Sequence, residues 1–232
     1  AAELGAPESI SMSFVMNQLG MILFAKGLYT EAEPLIRKAL EIEEKLGVAG
    51  SAEIAIHLTN LGMLLKVMGH LNDAEPLLRK AIEIFFGREE PHADRTKPLN
   101  ALALVLMEGR RFQEAEMLLL RALALDEEAE NQSSITVTLH NLALLLQATG
   151  RTAEAEPVIR RSLEVSKAFY GEDHPRTARK IQILAGIVRD LGRPDEAEPL
   201  VRQALEIFAK ILGPDHPRTQ SARHDLDTLT AA

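Results

Sequence analysis

The sequence predicts an all-α fold, built as a stack of helical hairpins. Three observations predict it. A short phrase recurs five times, as Ala32-Glu33-Pro34-Leu35, Ala74-Glu75-Pro76-Leu77, Ala115-Glu116-Met117-Leu118, Ala155-Glu156-Pro157-Val158 and Ala197-Glu198-Pro199-Leu200, with the alanines 42, 41, 40 and 42 residues apart. A fixed period of this size marks copies of one supersecondary unit stacked on each other. Aliphatic residues dominate the 46% hydrophobic content, aromatics make up 4%, and there is no Trp. That composition disfavours strands, which draw on aromatic side chains, and suits helices, which prefer Ala, Leu, Glu and Arg. Apolar positions around each anchor alanine also recur three and four residues apart, as neighbours on one helical face do.

The first helix of each unit lies before the anchor. Leucine stands thirteen residues before it in every copy (Leu19, Leu61, Leu102, Leu142, Leu184). One position later only small residues occur: Gly20, Gly62, Ala103, Ala143 and Ala185. The leucines belong to the buried stripe, and the small residue lets a second helix approach closely. That second helix follows the anchor, with Ile36, Leu78, Leu119, Ile159 and Val201 at its fourth position.

Gly27, Gly69, Gly150 and Gly192 precede the anchor by five, where a helix C-cap needs a left-handed residue. The third copy has Arg110 there after Gly109, which predicts a slightly altered turn. Thr30-x-x-Glu33, Asn72-x-x-Glu75 and Asp195-x-x-Glu198 read as capping boxes. Pro34, Pro76, Pro157 and Pro199 are expected in the first turn of the second helix, where a missing N–H does least harm.

Between units, Tyr170-Gly171-Glu172-Asp173-His174-Pro175 and Leu212-Gly213-Pro214-Asp215-His216-Pro217 each end one helix on glycine and start the next on proline. Degraded junctions stand at Leu46-Gly47 and from Phe86-Gly87 to Pro91-His92. The predicted repeats span about 8–48, 51–88, 93–130, 133–171 and 175–213, with a terminal helix over about 217–230. The expectation is eleven helices in a single domain over 1–232.

The net charge of −8 argues against nucleic acid or an anionic membrane surface as partner, since both need a positive field. No apolar run approaches the roughly 18–20 residues that span a bilayer. No secretory signal is visible over Ala1–Ser11, and there are no cysteines, which fits a reducing, cytoplasmic compartment.

The leucine, the small residue, the anchor alanine and the second alanine at these offsets resemble the tetratricopeptide repeat. With Gly-x-Asp-His-Pro-x-Thr and Ala-Glu-Pro-Leu, the chain looks like the 42-residue subclass found in kinesin light chains, and the resemblance covers about 8–230. It implies a right-handed α-solenoid of five antiparallel helix pairs plus a C-terminal capping helix. First helices would line the concave side and second helices the convex side.

The resemblance implies that groove-lining positions fall eighteen, fifteen, eleven and eight residues before each anchor. They bring forward Phe14, Ile56, Lys97 and Arg179; then Asn17, Asn100, His140 and Gln182; then Met21 and Met63; then Phe24 and Arg189, with Asn60 and Asn141 beside the second row. The polar row can hydrogen-bond an extended peptide, since amides both donate and accept. The N-terminal half is apolar and adaptable, whereas Arg179 and Arg189 make the other half basic. Other readings stand beside this one. The methionines also suit packing between first helices, Phe14 and Phe24 suit cover by further sequence or a second copy, and the asparagines suit local bonding. Repeats that clamp the C-terminal carboxylate of Hsp70 or Hsp90 carry a basic residue in the first groove-lining helix. Asn17 and Met21 offer none, which argues against chaperone tails.

No catalytic signature emerges. The seven histidines lack ligand spacing; His174 and His216 repeat at equivalent junctions and read as capping residues, and only His140 lies in the groove. No P-loop, dinucleotide fingerprint or nucleophile elbow is present, so neither enzyme activity, cofactor nor metal is expected. The leading expectation is a scaffold or adaptor that binds a peptide or partner protein in its groove. The alternative is a sensor or oligomerisation module of a larger signalling protein, with self-association through terminal helices a further possibility.

Overall fold

The structure, a computed structural model, describes residues 9–47, 50–88 and 93–230. The junction residues 89–92, with Pro91 and His92, lie outside the described residues, as do 1–8. Two compact units are present, Ala1–Arg111 and Phe112–Ala232. The first contains α1 (Ile10–Ala25), α2 (Tyr29–Lys45), α3 (Ala52–Val67), α4 (Leu71–Phe86) and α5 (Lys97–Glu108). The second contains α6 (Phe112–Glu128), α7 (Gln132–Ala148), α8 (Thr152–Tyr170), α9 (Pro175–Asp190), α10 (Pro194–Leu212) and α11 (Pro217–Thr230). These are the eleven helices the repeat predicts, without a strand among the described residues. Each unit is a stack of helical hairpins, the all-α solenoid architecture.

Close approach defines the hairpin. All five anchor alanines are fully buried, as are Ala39, Ala81, Ala122, Ser162 and Ala204 one helical face further on. A side chain on Gly20 would meet Ile36 Cγ1 at 2.6 Å, and one on Gly62 would meet Leu78 Cγ at 2.6 Å. The leucines at the facing positions (Leu61, Leu142, Leu184) are buried in turn, each worth about 1.5–3 kcal/mol relative to exposure.

The hairpin turn is a Schellman motif. Leu28 N donates to Leu23 O at 3.0 Å and Gly27 N to Phe24 O at 3.0 Å, with Gly27 at φ +78. The expected alteration at the third turn is absent. Arg110 itself adopts φ +58, Arg110 N donates to Met107 O, and Arg111 N donates to Leu106 O at 2.8 Å, the same ring as elsewhere. A non-glycine residue thus takes the left-handed conformation here, at a cost.

The capping boxes do not form. The residue after each left-handed position (Leu28, His70, Arg193) is already the N-cap and makes no side-chain cap bond. The helix thus starts earlier than the box requires, and Glu33, Glu75 and Glu198 bond arginines one turn on: Arg37, Arg79 and Arg202. For the same reason the four prolines lie inside their helices, in the second turn at Pro34, rather than in the first.

Glutamates that follow the anchor alanine also tie neighbouring repeats together, at Glu75, Glu116 and Glu156. Arg111 Nη1 lies 2.8 Å from Glu75, Arg151 Nη1 2.8 Å from Glu116, and Arg193 Nη1 2.8 Å from Glu156. Each arginine sits in the turn of one repeat and reaches the second helix of the preceding one. Arg160 and Arg193 together hold the Glu156 carboxyl below the usual carboxylate range.

A second seam is buried. Glu43 on α2 accepts from Ser13 Oγ on α1 (2.9 Å) and lies 3.0 Å from His57 Nδ1 on α3, all three buried. The corresponding position is Asp126 on α6, which accepts from Thr138 Oγ1 at 2.9 Å, and Ser166 on α8, 3.1 Å from Thr177 Oγ1. On α4 and α10 it is a buried phenylalanine, Phe85 and Phe208. A polar pair or an aromatic ring thus fills the same slot, and each polar atom put there has a partner, as burial requires.

His174 and His216 do cap helices: their Nδ1 atoms accept from Arg176 N (3.0 Å) and Arg218 N (3.1 Å). Thr177 and Thr219 close the two loops by donating to Gly171 O and Gly213 O, both at 2.8 Å.

Candidate functional site

In the first unit the candidate residues lie on α1, α3 and α5. Asn60 Nδ2 donates to Asn17 Oδ1 at 3.1 Å, joining the two helices through their amides. Asn17 is buried, whereas Asn60 is half-buried and keeps its carbonyl oxygen and one amide hydrogen without a partner among the described residues. Ile56, Thr59, Asn60, Asp94 and Lys97 line a small cleft. Lys97 Nζ pairs with Asp94 at 2.7 Å, and the buried Asn100 bonds Thr96 O at 3.2 Å. Met21, Phe24, Ile56 and Met63 are half-buried, Phe14 is exposed, and Phe24 packs on Tyr29 with ring centroids 5.6 Å apart.

In the second unit they lie on α7 and α9. Gln182 is buried and highly bonded: it donates to Ser221 Oγ (3.2 Å) and Asp225 Oδ2 (2.6 Å) of α11 and accepts from Arg179 Nη1 (3.1 Å). Arg189 pairs with Asp190, which accepts from Gln147 Nε2 of α7 at 2.6 Å. Gln182, Gly186, Arg189, Asp225 and Leu229 border a cleft. Gly186 lies at the row that holds Met21 and Met63 elsewhere, and a Cβ there would touch nothing within 4 Å. Asn141 is buried.

His140 behaves differently from the junction histidines. Its Nδ1 is closed to solvent and has no partner among the described residues. Burial, followed by the charges of Lys180, Arg179 and Arg218, pushes its pKa down to about 3, so the ring is neutral at pH 7. No group of His, Asp and Glu among the described residues is arranged to hold a metal ion. Ser13, Glu43 and His57 do not form a nucleophilic triad, because the carboxylate stands between the other two and all are buried. No described helix is long and apolar enough to cross a membrane.

A sequence profile of the tetratricopeptide repeat matches residues 11–85 and 134–179, and a second profile of that repeat matches 177–218. The chain is a tetratricopeptide repeat protein. Among solved structures, this tetratricopeptide repeat protein is similar to a putative kinesin light chain of Podosopora anserina with nearly identical TPR-like repeats (TM-score 0.68, 23% identity, 88% of this chain and 98% of that one). It is similar to BtubC (BKLC) of P. vanneervenii (TM-score 0.73, 19% identity, 88% and 82%). It is also similar to the Rap conjugation gene regulator of plasmid pLS20, solved with the Phr* peptide (TM-score 0.77, 16% identity, 96% and 62%). At these identities the likeness is one of fold. No curated protein sequence matches the chain.

Beside the candidates read from the sequence, the structure of this repeat protein places Lys180, Arg218, Ser221 and Asp225. Lys180 stands seventeen before its anchor, where His57 and Thr138 fill the buried seam, so its register marked it as a packing position.

Proposed function

We propose that the chain is a non-enzymatic interaction module that holds a peptide or a segment of a partner protein against the faces of its first helices. The observation that carries this is Asn60, whose spare carbonyl and N–H match what a peptide backbone offers. It stands in a cleft with Ile56 and Lys97. Phe14, Met21, Phe24 and Met63 add adaptable apolar surface in the same unit, Asn17 orients Asn60 through the hydrogen bond between their amides, and Asn100 continues the row. In the second unit, taken by itself, His140, Asn141, Arg179, Gln182 and Arg189 offer a more polar first-helix surface for such a segment. The Rap regulator, a fold neighbour, was solved with a peptide bound, which fits this reading. Panning the protein against a random-sequence display library tests it. Enriched peptides should cross-link to α1 or α3, and Asn60→Ala should weaken them while circular dichroism and Tm stay close to the parent. Cross-links confined to second helices, or no enrichment, would refute it.

A second reading, an oligomerisation module, is favoured by α1. Val15 (62% exposed), Leu19 and Ile22 form an open apolar face. The equivalent leucines and isoleucines of α3, α7 and α9 are buried where those helices meet the preceding second helix. A second copy pairing through α1 would bury this face. Light scattering across a hundredfold concentration range should show a dimer that Val15→Lys with Ile22→Glu abolishes; a monomer throughout would remove this reading.

A further inference from the structure

Away from the first helices, α6 departs from the other second helices at three positions together. Two, five and nine residues after the anchor, the other four repeats hold proline, arginine and glutamate, as Pro34, Arg37 and Glu41 on α2. On α6 these positions are Met117, Leu120 and Ala124. Spacings of three and four place them on one stripe of the helix, which Gln113 extends by a turn towards the N-terminus. The stripe faces water: Met117 is 64% and Leu120 50% exposed, and Gln113 and Ala124 are exposed too. A lone surface leucine needs no explanation, but a contiguous stripe marks an interaction site. The exchange also has a cost. In the other repeats that arginine pairs with the glutamate one turn before it, and α6 has no such arginine.

The stripe is complementary to a second copy of itself. About a two-fold axis between Leu118 and Leu119, an antiparallel α6 sets Met117 against the partner's Leu120 and Gln113 against the partner's Ala124. The short alanine side chain lets the two helix axes approach. Glu114 and Arg121, seven residues apart, lie along the same edge of the stripe. Across the antiparallel pair Glu114 faces the partner's Arg121, and the two-fold repeats the match with Arg121 facing the partner's Glu114. A parallel pair would align the helix dipoles and bring Glu127 and Glu128 against their own copies, whereas the antiparallel pair keeps the acidic ends apart.

We propose that the water-facing stripe of α6 pairs antiparallel with that of a second copy, making a weak two-fold dimer. This surface is separate from the first helices and from α1, so it stands or falls apart from the readings above. Two 17-residue helices cover less than the ~1,200 Å² of a standard interface, so dissociation constants of about 10 µM to 1 mM are expected.

Sedimentation equilibrium of the full chain over about that concentration range tests the pairing. A second series in Val15→Lys with Ile22→Glu removes any pairing through α1, and a monomer–dimer equilibrium is expected in both. Leu120→Arg with Ala124→Glu restores what the other repeats carry, and should weaken dimerisation at least about tenfold while Tm and circular dichroism stay unchanged. Cross-linking reads the register, because the chain has no cysteine of its own. Gln113→Cys and Ala124→Cys proteins, mixed and oxidised, should join to each other in preference to themselves; a parallel pair would give the reverse. Symmetric disulfides in preference, or a dimer indifferent to Leu120→Arg with Ala124→Glu, would overturn the antiparallel α6 pair. So would a monomer at about 1 mM, which would leave the stripe to be covered only by a different protein.

Discussion

Glu43 Oε2 lies 3.0 Å from His57 Nδ1, across the boundary between two repeats and out of reach of water. With Ser13 donating to the other carboxylate oxygen, the pair links α1, α2 and α3 through one side chain. A bridge of this kind resists replacement because removing the acid leaves two buried polar groups without partners. Glu43→Ala should destabilise the protein by about 3 kcal/mol. Glu43→Gln, which can still accept from Ser13 and donate to Nδ1, should cost about 1 kcal/mol or less. Urea unfolding followed by circular dichroism measures both; equal losses would show that the contact is not what holds these helices.

Arg110 predicts a gain. Its φ of +58 is a conformation that suits glycine, and glycine occupies the equivalent position in the other four hairpin turns. Left-handed backbone costs a non-glycine residue about 1–2 kcal/mol, part of which glycine returns through its freer unfolded chain. Arg110→Gly should raise stability by about 0.5–1 kcal/mol, read as an increase in Tm.

Lys180→Met should stabilise the protein at pH 7 by about 1–3 kcal/mol, because burial and the charges of Arg176, Arg179 and Arg218 disfavour the ammonium. The sign of its pH dependence follows from the lowered pKa. Below about 8 the ammonium is charged in both states and the full penalty stands; between there and its unfolded value the folded chain releases the proton first. The parent should therefore gain stability as pH rises through that window, and its gap to Lys180→Met should narrow. A gap independent of pH would show that the lysine is solvated.

His140 sets an acid limit. Its folded pKa, about 3, lies far below the usual histidine value, so on acidification the unfolded chain binds a proton that the fold refuses. Stability is complete above about pH 6.5, the ordinary histidine pKa, and falls as pH drops towards 3. Burial pushes His57 in the same direction, although Glu43 opposes it. His140→Gln should flatten the decline, measured as urea midpoints from pH 7.5 to 4.

Gly186 offers a variant that separates folding from binding. A side chain there meets open space, and glycine inside a helix is about 1 kcal/mol less favourable than alanine. Gly186→Met should keep or raise Tm while filling the cleft beside Gln182 and Arg189, and a ligand that uses this cleft should be lost. Unchanged affinity would place the ligand elsewhere.

The order of residues by itself determined the eleven helices, the anchor alanines, the glycine turns and the junction caps. Each of these depends on contacts within a few residues or on a stripe that repeats with the helical period, so local chemistry is sufficient. The capping boxes do not form for a related reason: Thr30-x-x-Glu33 satisfies the pattern, but the turn at Gly27 already starts the helix at Tyr29. Tertiary structure alone decided which polar residues are already spent. Asn17 with Asn60, Gln182 with Asp225 and Glu43 with His57 are paired across helices 43, 43 and 14 residues apart in sequence. It also decided that Lys180 is buried along most of its length with no acceptor among the described residues: the position that holds Glu43 beside His57 is here Ser166 on α8, already bonded to Thr177. Burial and pairing are properties of neighbours brought together by packing, which no single helix encodes.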